Sequence, residues 1–69
     1  MKNIQKYLEL LSESTGKLYY LEIRPNWVGI YCQHKDYYNE LAYYDKSLEK
    51  AIHWLEVRLM LQNILPIEE

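Results

Sequence analysis

The sequence predicts an α+β fold: a three-stranded antiparallel β-meander with two helices on one face, in the order αβββα. Three observations lead there. Apolar residues recur with helical period near both ends of the chain. The middle is rich in Tyr, Ile and Val, as strands are. Turn signals at Pro25-Asn26 and at His34, Lys35 and Asp36 divide that middle into three short runs. The 69 residues suffice for one domain, residues 1–69, of a size at which a core supplies only about 3–5 kcal/mol.

Each element has its own signal. Asn3 is placed to cap a first helix in which Ile4, Tyr7, Leu8 and Leu11 fall at i, i+3, i+4 and i+7, and Gly16 stops it. Residues 17–24 read as a strand and residues 27–33 as its return, with Pro25 at the first central position of the turn and Arg24 held extended before it. Residues 37–44 would accept a helix at Asn39, Glu40, Leu41 and Ala42, but their four tyrosines favour a strand. The last helix runs from Ser47 to about Ile64. It has Leu48, Ile52, Leu55 and Leu59 on one face and Pro66 to end it.

Alternation then assigns the faces of the sheet. Closing the first hairpin about Pro25-Asn26 sets Ile23 opposite Val28, Leu21 opposite Ile30 and Tyr19 opposite Cys32, an apolar set that belongs to the core. Setting Leu41 opposite Ile30 brings Tyr43 beside Val28 on the same side. The other face receives Tyr20, Glu22, Arg24, Trp27, Gly29, Tyr31, Tyr38, Glu40, Ala42 and Tyr44. Both helices are committed by their apolar stripes to the first face, so this second face is expected to meet solvent, with Gly29 as a low centre ringed by aromatics.

Cross-strand aromatic pairing, with Arg24 over Trp27, accounts for part of that surface. An exposed aromatic patch with a few charges also suits a protein partner, which makes Tyr20, Glu22, Arg24, Trp27, Tyr31, Tyr38, Glu40 and Tyr44 the candidate binding residues. Glu22 and Glu40 oppose phosphate and argue against base stacking. A second candidate surface is the stripe Val57, Met60 and Ile64, nearly opposite the core face of the last helix, which would suit a homodimer seam or a partner.

Composition narrows the classes of function. With 49% hydrophobic and 26% charged residues, the chain is globular rather than disordered. The net charge of −2, with signs scattered, provides no basic footprint for nucleic acid. Cys32 is the one cysteine, so no internal disulfide forms, and no apolar run reaches the roughly 18 residues of a membrane span. "MKNIQKYLELL" lacks the apolar stretch and cleavage site of a signal peptide, which points to the cytoplasm.

Chemistry finds little foothold. Cys32 and His34 form a C-x-H pair, short of the four ligands of structural zinc, and His53 is the other imidazole. Alternation turns Cys32 to the core, where a thiol is inert. Glu22 with Glu40, and the adjacent Glu68 and Glu69, lack a cleft, and Gly16 and Gly29 are isolated rather than parts of a phosphate loop. No cofactor, metal or catalytic role is expected.

The αβββα order resembles that of double-stranded-RNA-binding domains. That family carries a basic cluster at the start of its second helix, where "DKSLEKAIHWLE" offers Lys46 and Lys50 interrupted by Asp45 and Glu49. The resemblance is one of topology and makes nucleic-acid binding the second reading. In size and tyrosine content the chain is similar in kind to the small inhibitors and regulators of phages and mobile elements, anti-CRISPR proteins among them, although no motif carries the likeness. The leading expectation is therefore a non-catalytic protein-binding module, and the third a small oligomeric structural subunit.

Overall fold

The computed structural model describes residues 4–34 and 38–64. They form α1 (Ile4–Thr15), β1 (Leu18–Arg24), β2 (Trp27–Gln33), β3 (Asn39–Asp45) and α2 (Leu48–Leu61), with the strands antiparallel in the order β1-β2-β3. This is the predicted αβββα arrangement, an open sheet. The roles expected of Asn3, Lys35, Asp36, Tyr37, Pro66, Glu68 and Glu69 lie outside the described residues.

The apolar stripe of α1 packs as its spacing requires: Leu11 is buried, and Ile4, Tyr7, Leu8 and Leu10 lie against the core. Gly16 ends the helix at φ 72, a left-handed conformation that costs glycine nothing, and its N–H donates to the Ser12 carbonyl at 2.9 Å. Ser12 Oγ then accepts the Tyr19 N–H at 2.9 Å, which ties the start of β1 to the last turn of α1.

The first hairpin has the expected register: Arg24 pairs with Trp27, Ile23 with Val28, Leu21 with Ile30 and Tyr19 with Cys32. Pro25 locks the first central φ, and Asn26 takes φ 58 at the second, the pattern of a type II turn with asparagine in place of glycine. The central strand β2 buries Val28, Ile30 and Cys32 beneath the helices. Together with Leu11, Ala51, Leu55 and Leu59 these make the core. Full burial of each of Ile30, Leu55 and Leu59 contributes about 1.5–3 kcal/mol.

The second hairpin departs from the predicted register. Tyr43, not Leu41, lies opposite Ile30; Asp45, not Tyr43, lies opposite Val28; and Leu41 lies opposite Tyr31. The shift falls between Ile30 and Tyr31, and Ala42 is the unpaired extra residue of a β-bulge on β3. Because side chains alternate with period 2, one extra residue sends Leu41 to the outer face and Glu40, opposite Cys32, to the helix side.

Ser47 caps α2, its Oγ accepting the Lys50 N–H, while Asp45 Oδ1 accepts the Ser47 N–H at 3.0 Å and Oδ2 accepts the Tyr43 hydroxyl at 3.1 Å. The helix ends at Leu61 rather than near Ile64. Asn63 adopts φ 60, its N–H donates to the Met60 carbonyl at 3.0 Å, and the Ile64 N–H donates to Leu59 at 2.9 Å. That pair of bonds is a Schellman cap, and it carries Ile64 back against the core. Two residues expected in the core lie at its margin: Ile23 is 63% exposed and Leu48 40% exposed. Ile23 sits beside the hairpin tip and Leu48 is the first residue of α2, so little apolar material surrounds either one. No helix among the described residues is long and apolar enough to cross a membrane.

Candidate functional site

The outer face of the sheet is the surface opposite both helices. Arg24, Glu22 and Tyr20 of β1 lie opposite Trp27, Gly29 and Tyr31 of β2, so all six share it. Trp27 lies flat over Gly29, where an added Cβ would overlap the outer ring of the indole. The low centre expected at Gly29 is thus filled by Trp27, and glycine is required there because backbone and ring approach closely.

Around this indole the side chains satisfy one another. The Arg24 guanidinium stands 5.1 Å from the Trp27 ring centre and reaches Glu22 Oε2 at 3.1 Å. Tyr31 donates its hydroxyl to Glu22 Oε1 at 3.0 Å. The Tyr31 ring stacks on Tyr20 at 5.2 Å and 13° and tilts against Trp27 at 6.4 Å. Such pairs contribute about 0.5–1.5 kcal/mol each beyond the area they bury. Lost hydration, then the Glu22 carboxylate, raises the Tyr31 hydroxyl above the ordinary tyrosine range and keeps it a neutral donor.

The β3 side of the face is different. Tyr44 lies opposite Gly29 and Leu41 opposite Tyr31, 63% and 42% exposed, and neither makes a ring contact or polar side-chain bond among the described residues. The outer face therefore combines a preorganised aromatic ladder on β1 and β2 with open apolar area on β3.

Two predicted members belong elsewhere. Glu40 lies opposite Cys32 on the helix side, and Tyr38, two residues earlier, goes with it. The His34 ring stacks on Tyr38 at 4.5 Å and its Nε2 lies 3.2 Å from Glu40 Oε1, so the three side chains form a cluster beside the β2–β3 connection. The helix stripe is also dispersed: Val57 is exposed, Met60 half-buried, and Ile64 returns to the core through the Asn63 cap. Leu41 on β3, 42% exposed, is a surface residue that sequence reasoning places in the core. Its signal was weak, because a bulge at a small residue such as Ala42 breaks alternation without a distinctive motif.

On the helix side, Thr15, Tyr19, Trp54 and Arg58 border a cleft of about 420 Å³ that reaches the β3 edge at Glu40, Leu41 and Ala42. Arg58 lies 4.9 Å over Trp54, and Trp54 stacks on Tyr43 at 5.5 Å. Glu40 is engaged with His34, its Oε1 3.2 Å from the imidazole Nε2. Lost hydration, then the neighbouring Cys32, raises the Tyr19 hydroxyl above its usual range. Among the described residues there is no group of three or more His, Cys, Asp or Glu placed to hold a metal. Cys32 itself is a buried free thiol. Comparison with known protein families, curated proteins and solved structures returns no match.

Proposed function

We propose that the protein is a non-catalytic protein-binding module whose outer sheet face docks on a partner, in the manner of a small inhibitor or regulator that occludes a surface of a larger complex. One observation carries the reading. The face opposite both helices presents Trp27, Tyr31 and Tyr20 in a fixed ladder beside the exposed, uncommitted Tyr44 and Leu41. Rigid aromatics lose little entropy on binding, and a rim of Arg24 and Glu22 supplies polar specificity. A buried free thiol suits the reducing cytoplasm, where we place the protein.

The test is affinity capture from bacterial lysate with mass spectrometry, comparing the wild type with the doubly substituted Leu41→Ser/Tyr44→Ala chain. Both positions are exposed, so the variant keeps its fold by circular dichroism. A partner that is retained by the wild type in 0.5 M salt and lost by the variant supports the reading. Capture that is unchanged in the variant, or that collapses steeply with salt as a phosphate contact does, overturns it.

A further inference from the structure

The two edges of the sheet are not equivalent. β3 carries its bulge at Ala42, a device that disfavours further pairing, whereas β1 is a regular seven-residue edge strand with no bulge or proline. The Tyr19 N–H turns away from β2 to Ser12 Oγ. Ladder bonds alternate, so Leu21 and Ile23 present their N–H and C=O groups on that same outer side. Beyond the point closed by Ser12, this edge has no strand beside it among the described residues.

α1 makes the edge into a groove. A largely apolar depression of about 470 Å³ runs between them, with Leu8, Leu18, Tyr19 and Leu21 against it and Glu9 and Glu13 on the helix wall. Glu9 and Glu13 stand at i and i+4, where like charges repel, and no Lys or Arg lines the groove among the described residues. The two carboxylates select between occupants. A second copy joined edge to edge through β1 would bring both α1 helices to one face of the merged sheet, with four carboxylates facing across the two-fold axis. A strand bearing cations relieves the repulsion instead.

We propose that the open edge of β1, walled by α1, takes up an extended peptide of alternating basic and apolar residues as a fourth strand. Its backbone pairs with Leu21 and Ile23. Its basic side chains lie with their aliphatic stems along Leu21 and Tyr19 and their charges at Glu9 and Glu13. Its apolar residues fall on the opposite side, beside Leu18 and Tyr20. The site uses none of Trp27, Tyr31, Leu41 or Tyr44 and meets the outer face at Tyr20 alone, so the Leu21 and Ile23 amides report it separately from the outer-face reading.

The experiment titrates the ¹⁵N-labelled full chain with an end-capped Lys-Val octapeptide, its Glu-Val counterpart, and a Lys-Val peptide interrupted by two central prolines. The expected result is saturable binding of the first alone, with the Leu21 and Ile23 amides shifting most and affinity weakening with salt. In the Glu9→Gln/Glu13→Gln variant, which leaves the groove's apolar lining intact, affinity falls about five- to tenfold. Absence of saturable binding, equal binding of the proline peptide, shifts confined to the Trp27 and Tyr31 face, or full affinity in the variant would overturn the proposal. Concentration-dependent shifts of Leu21 and Ile23 without peptide would assign the edge to a second copy and overturn it as well.

Discussion

The central strand β2 is paired on both sides, and its two ladders are set by different means. Toward β1 the two-residue turn leaves one register: Pro25 has a fixed φ, Asn26 sits at φ 58, and pairing runs unbroken from Arg24–Trp27 to Leu18–Gln33. Toward β3 the connection is longer, and register answers to what each end of the strand must reach. Tyr43 and Asp45 are drawn to Trp54 and to the cap of α2, while Glu40 is drawn to His34. These requirements are one residue out of step, and the bulge at Ala42 absorbs the difference. Backbone geometry fixes pairing where a turn is short; side-chain demands fix it where the connection is long.

Both ladders depend on one shared residue. Ile30 is fully buried and lies opposite Leu21 on one side and Tyr43 on the other. Ile30→Ala should cost about 2–5 kcal/mol, as much as a domain of this size holds, and urea titration should find it largely unfolded. Gly29→Ala should cost about 1–3 kcal/mol by lifting the Trp27 indole. A Trp27→Ala background should recover part of that loss, and strictly additive effects in the double-mutant cycle would remove Trp27 as the cause. Asn26→Val tests the short turn itself. It should cost about 1–2 kcal/mol in thermal melts, whereas Asn26→Gly should not, because only the former resists positive φ.

The long connection is probed by pH. The Ser47 N–H, then the Tyr43 hydroxyl, holds the Asp45 carboxyl below the usual carboxylate range, although partial burial opposes them. Its stabilising contribution is therefore present above pH ~4 and lost as pH falls through the folded value. The stability difference between the wild type and Asp45→Asn should accordingly be largest near neutrality and shrink below pH ~4. Tyr31 and Tyr43 act at the other limit. Lost hydration and their carboxylate partners raise both hydroxyls, so their contribution is present below pH ~10 and declines as pH rises through the folded values. The gentlest change is deletion of Ala42, which preserves every observed pair of β2 with β3 while straightening the edge. The β1 and β2 amide shifts should stay in place, and light scattering should show increased self-association.

Periodicity made both helices legible, and Pro25-Asn26 did the same for the first ladder, so Tyr20, Glu22, Arg24, Trp27, Gly29 and Tyr31 followed from alternation. The third strand's placement did not follow, because a bulge at alanine looks like ordinary strand. The end of α2 is obscured in the sequence for a related reason. Asn63 takes the left-handed position that glycine more often marks, so Ile64 read as one more helical residue instead of the one folded back onto the core. The groove along β1 depends on how far α1 stands from the strand edge, and no local pattern encodes that distance.

The two tryptophans lie on opposite sides of the sheet, and each has its own guanidinium and tyrosine close by: Arg24 and Tyr31 at Trp27, Arg58 and Tyr43 at Trp54. The protein thus carries two intrinsic optical probes, one for each surface. With Trp54→Phe the remaining emission reports events on the outer face, and with Trp27→Phe it reports the helix side. A ligand's side of approach can then be read from unlabelled protein by which emission maximum moves.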